Sequence, residues 1–238
     1  MVERDARASE FADDDPPSHY TSLGGFHAVR AVANHIRGTD DLNGLKVAVQ
    51  GVGQTGADLI AQLIERGADV IAADVNAAVL AKVSIRHGIE TASPDDIHAQ
   101  NVDIFAPCAM GGILNEQTIP QLKCKGIAGL ANNQLATPED GQRLLDRGIA
   151  YAPDFVANAG GVMRATLPIF STPDRAKALP QISGRYERSA KSCAALTLMG
   201  CQPKPSLSRL RWSAFVPAQS PEHDHARLYR FDDDHHGR

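Results

Sequence analysis

Three glycines, Gly51, Gly53 and Gly56, stand in G-x-G-x-x-G spacing directly after the run KVAVQ. That spacing can hold the diphosphate of a dinucleotide. Gly51 lets the chain turn off a strand, Gly53 offers no Cβ to keep the backbone from the phosphates, and Gly56 lets a helix pack closely on a sheet. Val52, Gln54 and Thr55 fill the turn, and their N–H groups, with the positive end of the following helix, favour an anion. Asp74 lies 18 residues beyond Gly56 and closes the next apolar run, ADVIAAD. Its carboxylate can accept hydrogen bonds from an adenosine ribose diol and would repel a 2'-phosphate. No arginine follows nearby to offset that repulsion, so the pattern favours NAD over NADP. Read as an isolated residue, Asp74 is equally a solvated acid capping the stretch VNAAVL.

These residues can meet only if the chain alternates strand and helix. KVAVQ reads as a buried strand, Thr55 to Arg66 as a helix with Leu59, Leu63 and Ile64 on one side, and ADVIAAD as a second strand. NAAVLAKVSIRHG reads as a helix, VDIFAPC as a strand, TIPQL as a short helical turn and GIAGLA as a strand. TPEDGQRLLDRG is a helix with Thr137 as its cap and Pro138 at its first position, and IAYAPDF is a further strand. Ahead of them, Leu23, Phe26, Val29, Val32, Ala33 and Ile36 recur at helical spacing up to Gly38, and TDDLNG is a turn. The alternation specifies an α/β fold: a doubly wound, mostly parallel, Rossmann-like sheet with helices on both faces. The expected organisation is a polar lead-in over 1–17, a dinucleotide-binding domain over 18–190 and an irregular tail over 191–238. Within the domain, a hinge helix spans 21–37 and the core spans 45–165. Asp174 to Leu198 reads as a weak helix interrupted by Pro180 and Gly184.

Composition narrows the functional classes. The 238 residues are 43% hydrophobic with a net charge of -4, which gives no electrostatic footprint for nucleic acid. No apolar run approaches the roughly 20 residues needed to cross a bilayer. The opening MVERDARASEFADDD has no apolar core of a secretory signal. Cys108, Cys124, Cys193 and Cys201 form no CxxC pair and have no histidine at zinc spacing, so a cytoplasmic chain with reduced thiols and no metal site is expected.

Three segments in order, LKVAVQGVGQTGADL, DIFAPCAMGGILNEQTIPQL and IAGLANNQLATPEDGQRLLDRGIAYAPDFVANAGGV, closely resemble the glutamate/leucine/phenylalanine/valine group of amino-acid dehydrogenases, with the nearest likeness to the leucine dehydrogenase branch. The likeness extends over about Ser18 to Ala190. It implies NAD-dependent oxidative deamination of an L-amino acid, branched-chain or otherwise apolar, to the 2-oxo acid and ammonium. It also implies that Cys108, Ala109, Ala131 and Asn132 line the nicotinamide ribose, that Asn133 reaches the substrate, and that NAGGV brings Asn158, Gly160 and Gly161 toward the cleft with Val162 near a side-chain pocket. Thr21 matches a threonine that approaches the nicotinamide. Gln54 stands where relatives often have Asn, a small departure because the backbone makes the phosphate contact. Taken without the resemblance, Cys108 is a small buried hydrophobe, Asn132 and Asn133 are ordinary turn residues, and Thr21 is a helix cap.

The resemblance implies a further half. Relatives carry an N-terminal domain with a glycine-rich segment, two lysines and a catalytic aspartate. Lys46, Lys82, Lys123, Lys125, Lys177, Lys191 and Lys204 have no such context. The expectation is therefore a C-terminal NAD-binding domain that holds nucleotide and does not turn over an amino acid alone. A non-catalytic nucleotide-binding module is the alternative. Neither the amino acid nor the oligomeric state can be read from these residues.

Overall fold

The computed structural model describes residues 17–158. Helix α1, Pro17–Arg37, begins four residues before the expected hinge helix. Its first residue is a proline, whose fixed φ suits the first helical turn and whose missing N–H is not needed there. The turn TDDLNG follows, tied by Asp41 N–H to Thr39 Oγ1 (3.2 Å) and Asn43 N–H to Asp41 Oδ1 (3.1 Å). The alternation then runs β1 Lys46–Gln50, α2 Gln54–Glu65, β2 Asp69–Ala73, α3 Ala77–His87, β3 Glu90–Thr91 and β4 Ile104–Pro107. It continues with β5 Gly126–Ile127, α4 Pro138–Asp146, β6 Ala150–Tyr151 and the short α5 Asp154–Ala157. Single 3-10 turns occupy Ile97–Ala99 and Ile119–Gln121.

The six strands form one sheet in the order β3-β2-β1-β4-β5-β6. Every pairing is parallel, with Val49 opposite Ala72 on one side and Ala106 on the other. This is a doubly wound α/β sheet whose chain reverses direction of growth between β1 and β4.

Side-chain alternation divides the core. Val47 and Val49 of β1 and Ile104 and Ala106 of β4 join the face covered by α1, α2 and α3. Ala48 and Phe105, between them in sequence, join the opposite face with Ile97, Ile119, Leu122 and Leu144. That second face is closed by the two 3-10 turns and α4. Arg147 fastens the Ile119–Gln121 turn by donating to the carbonyls of Ile119 and, at 2.8 Å, Leu122.

Helix ends follow local chemistry. Asn76 caps α3 by accepting from Val79 N–H (3.2 Å), and Gly88 ends it in the left-handed region. Thr137 opens α4 in a capping box, with Asp140 accepting from Thr137 N–H at 2.8 Å and from Arg143 at 2.6 Å.

Three elements differ from the sequence expectation. The edge strand β3 has only two residues, both exposed, and so carries no hydrophobic signal. The run GIAGLA yields a strand of two residues, because Gly129 lies against Pro107 and the N–H groups of Leu130 and Ala131 both turn to the Pro107 carbonyl (2.8 and 2.9 Å). Asp154 and Phe155 belong to a helical turn rather than to the last strand, since Pro153 stops the ladder. Of the lead-in expected over 1–17, Pro17 belongs to α1 and 1–16 lie outside the described residues, as do the tail over 191–238 and the helix over 174–198.

Phe105 is fully buried between β1 and the 3-10 turns, whereas Ile85 on α3 is 84% exposed. Phe105→Ala is expected to lower unfolding stability by about 3–5 kcal/mol, and Ile85→Ala to change it by less than about 0.5 kcal/mol. Urea denaturation of the two variants measures the difference.

Candidate functional site

The carboxyl ends of β1, β2, β4 and β5 open on one crevice, and the loops leaving them carry the residues singled out by type and spacing. At β1 the chain leaves the sheet through Gly51 at φ 95°, a conformation that L side chains rarely adopt. Gly51 N–H donates to Ala73 O at 2.7 Å, and a Cβ at this position would stand 2.8 Å from the Ala109 Cβ. A Cβ on Gly56 would overlap the Gly51 carbonyl, so α2 starts directly over its own approach loop. Gly53 differs: among the described residues nothing lies within 4 Å of a Cβ placed there. Gly53 and Gln54 are exposed and Thr55 is half-buried, and no side chain caps the start of α2. The first amides of that helix therefore face an open space with the positive end of the helix behind them.

Asp74, half-buried at the end of β2, turns toward this loop. Its Oδ2 accepts from Val52 N–H and its Oδ1 from Asn76 N–H, each at 2.8 Å. The carboxylate thus ties the glycine turn to the neighbouring strand. Each oxygen has a second lone-pair direction left for a hydroxyl. Asn76, and not Asp74, provides the cap of α3. Val75 and Met110, just beyond β2 and β4, are 91% and 81% exposed, which gives the crevice edge apolar surface.

The loop after β4 abuts the glycine turn. Cys108 N–H donates to Gln50 O at 2.7 Å, and the Cys108 Cβ lies 3.5 Å from where a Cβ on Gly56 would stand. Burial pushes the Cys108 thiol up to about 12, against a smaller downward pull from the Leu130 backbone. The thiol stays protonated at neutral pH and acts as a small packing group, not a nucleophile.

One strand further, the loop after β5 carries buried Ala131 and exposed Asn132 and Asn133. It is laced to the β4 loop by Gly112 N–H to Asn133 O (2.8 Å) and Leu114 N–H to Gln134 O (3.0 Å). Gln134, fully buried, donates its amide to Gly129 O and Ala131 O at 2.9 and 3.0 Å. Thr21 belongs to the rim: α1 runs against β5, with Val32 over Gly126 and Gly25 over Leu130, so the turn holding Thr21 stands at the carboxyl end of the sheet.

The fold thus brings Gly51 to Gly56, Asp74, Cys108 and Ala109 into one cluster and sets Ala131, Asn132 and Asn133 beside it. Gly160, Gly161 and Val162 lie outside the described residues. Asp154 was not singled out for this crevice, yet its Oδ2 accepts from Asn133 N–H (2.5 Å); Asn158, which the resemblance brings toward the cleft, donates from Nδ2 to Asn132 Oδ1 (2.8 Å). The available signal was Pro153 followed by Asp154, an ordinary helix start.

Comparison with known proteins gives the same direction. The family model described as Glutamate/Leucine/Phenylalanine/Valine dehydrogenase matches residues 17–86 and 80–173. The chain is 43% identical over 182 residues to leucine dehydrogenase of Geobacillus stearothermophilus, covering 76% of this chain and 49% of that protein. It is 42% identical over 161 residues to valine dehydrogenase of Streptomyces albus, covering 66% and 44%. It therefore spans about half the length of the curated relatives it matches. Among solved structures, L-tryptophan dehydrogenase from Nostoc punctiforme superposes with a TM-score of 0.68 at 33% identity, covering 80% of this chain and 63% of that one. With the family model matching well over half of its residues, this chain belongs to the glutamate/leucine/phenylalanine/valine dehydrogenase family.

Proposed function

We propose that this chain is the C-terminal, NAD-binding part of an amino-acid dehydrogenase that deaminates an apolar L-amino acid oxidatively. The observation that carries the reading is the joint between Asp74 and Val52 N–H, which puts an acid at the edge of an uncapped helix start with open space at Gly53. A diphosphate fits that space, since no side chain caps the first amides of α2. A ribose diol fits the remaining lone pairs of Asp74. A bound nicotinamide would supply the hydride acceptor for oxidation at the amino acid Cα. The chain's own share is to hold the diphosphate at Val52 to Gly56, to select a free 2'-hydroxyl with Asp74, and to present the Ala131–Asn133 loop to the other end of the cofactor. The names of the relatives, leucine and valine dehydrogenase, support an apolar amino acid as substrate.

Proton handling belongs elsewhere in this reading. Among the described residues the lysines stand away from the crevice. Lys46 opens β1 and Lys125 immediately precedes β5, both at the amino edge of the sheet, and Lys82 and Lys123 are exposed on α3 and on the loop before β5. A base must come within hydrogen-bond reach of the proton it takes, and none of these four does. The same observation supports a non-catalytic nucleotide-binding module as the second reading.

Three outcomes are expected. NAD at 100 times its dissociation constant raises the unfolding free energy by about 2.7 kcal/mol; an unmoved melting curve at millimolar NAD overturns the proposal. The unsubstituted chain binds NAD more tightly than NADP, and Asp74→Ser reduces the NAD-to-NADP affinity ratio at least tenfold, about 1.4 kcal/mol, in calorimetric titration. Finally, the purified 238-residue chain forms no NADH from leucine, valine or phenylalanine; turnover in that assay would sink the assignment of the acid–base groups to other parts of the enzyme.

A further inference from the structure

We infer that Asp154 is a positioning residue for the nicotinamide end of the crevice, acting through the backbone of Asn133; the inference rests on the nucleotide reading above. Strand order supplies the frame. Asp74 ends β2 on one side of β1, and the loops after β4 and β5 lie on the other. A dinucleotide whose diphosphate crosses the β1 turn and whose adenosine ribose meets Asp74 must extend its second half over β4 and β5.

The loop on that side is held in an uncommon conformation. Asn133, at φ 53°, is the one non-glycine residue with positive φ among the described residues. A left-handed residue with a Cβ persists where its surroundings fix it. Here the fixing group is a carboxylate. Asp154 Oδ2 accepts from Asn133 N–H at 2.5 Å, while Oδ1 accepts from Phe155 N–H at 2.8 Å at the start of α5. Such charge-assisted bonds are short and strong. Four residues on, Asn158 Nδ2 donates to Asn132 Oδ1 at 2.8 Å, so the first residue of α5 and its C-cap hold consecutive residues of the loop. From the other flank, Gly112 N–H holds Asn133 O at 2.8 Å, and a Cβ on Gly111 would stand 2.5 Å from Asn132 O.

The consequence is a division of labour. Asp154 has both oxygens engaged by backbone and makes no bond to the glycine turn or to Asp74. It fixes the backbone from which the exposed Asn133 side chain projects, and the Asn133 amide finds no partner among the described residues. Loss of the Asp154 carboxylate releases Asn133 from the left-handed region without touching the adenosine half, whose bonds run through Val52 and Asn76.

Two probes separate the halves. ADP carries the adenosine and the diphosphate but neither the second ribose nor the nicotinamide; NADH carries all of them and reports through nicotinamide emission. In the full chain, Asp154→Ala is expected to bind ADP within twofold of the unsubstituted chain. NADH binds it at least fivefold more weakly, and its emission change is reduced. Asp154→Asn, which keeps one acceptor oxygen, gives an intermediate loss and serves as the reporter should the alanine variant not fold. Equal weakening of both probes in the folded variant, or no weakening of either, overturns the positioning role while leaving the nucleotide reading intact. Failure of the unsubstituted chain to bind either probe overturns both.

Discussion

The structure depends on the close passage of backbone past backbone at Gly51 and Gly56. A methyl group on Gly56 would occupy the place of the Gly51 carbonyl, and one on Gly51 would meet Ala109. Because neither side chain exists, α2 can start directly above the end of β1 and the β4 loop can lie against both. Gly51 also takes a φ that only glycine adopts without strain. One local permission therefore sets the separation of three elements, and that separation leaves the first amides of α2 facing the crevice.

Around this joint the sheet works as a spacer. Alternating side chains send Val47, Val49, Ile104 and Ala106 to one face and Ala48 and Phe105 to the other. Each buried Val, Ile or Phe contributes about 1.5–3 kcal/mol, and the rigid parallel ladder fixes the lateral distance between the ends of β2, β1, β4 and β5. The loops need no core of their own to be placed. They are set by the strands and then laced by a few polar contacts: Asp74 to Val52, Gly112 to Asn133, and Gln134 to Gly129 and Ala131.

These contacts share a logic. In each case a side chain or amide satisfies the backbone of its own loop or of a neighbouring one, so that the loops at the crevice are shaped before any ligand arrives. Preorganisation of this kind removes ordering cost at the moment of binding. The half-buried Cys108, its thiol pushed up to about 12 by desolvation, fits the same pattern: it fills space beside Gly56.

Much of this was legible in the residues. The period of KVAVQ and ADVIAAD, the glycine spacing, Asp74 at the end of its run, Thr137 and Pro138 opening a helix, and the fold class itself follow from local propensity and alternation, which act within a few residues. The edge strand at Glu90–Thr91 was invisible because two exposed residues carry no apolar signal, and the early end of the GIAGLA run was invisible because its cause, Pro107, is more than twenty residues away in the chain. The sequence alone determined which backbone could turn and which acid could follow. Tertiary structure alone decided that Asp74 reaches Val52, that Gly25 and Gly126 admit α1 to the sheet, and that Asp154 holds Asn133. Those are contacts between segments 21 to over 100 residues apart, and residue type fixes what a group can bond to, not which distant group the fold will bring to it.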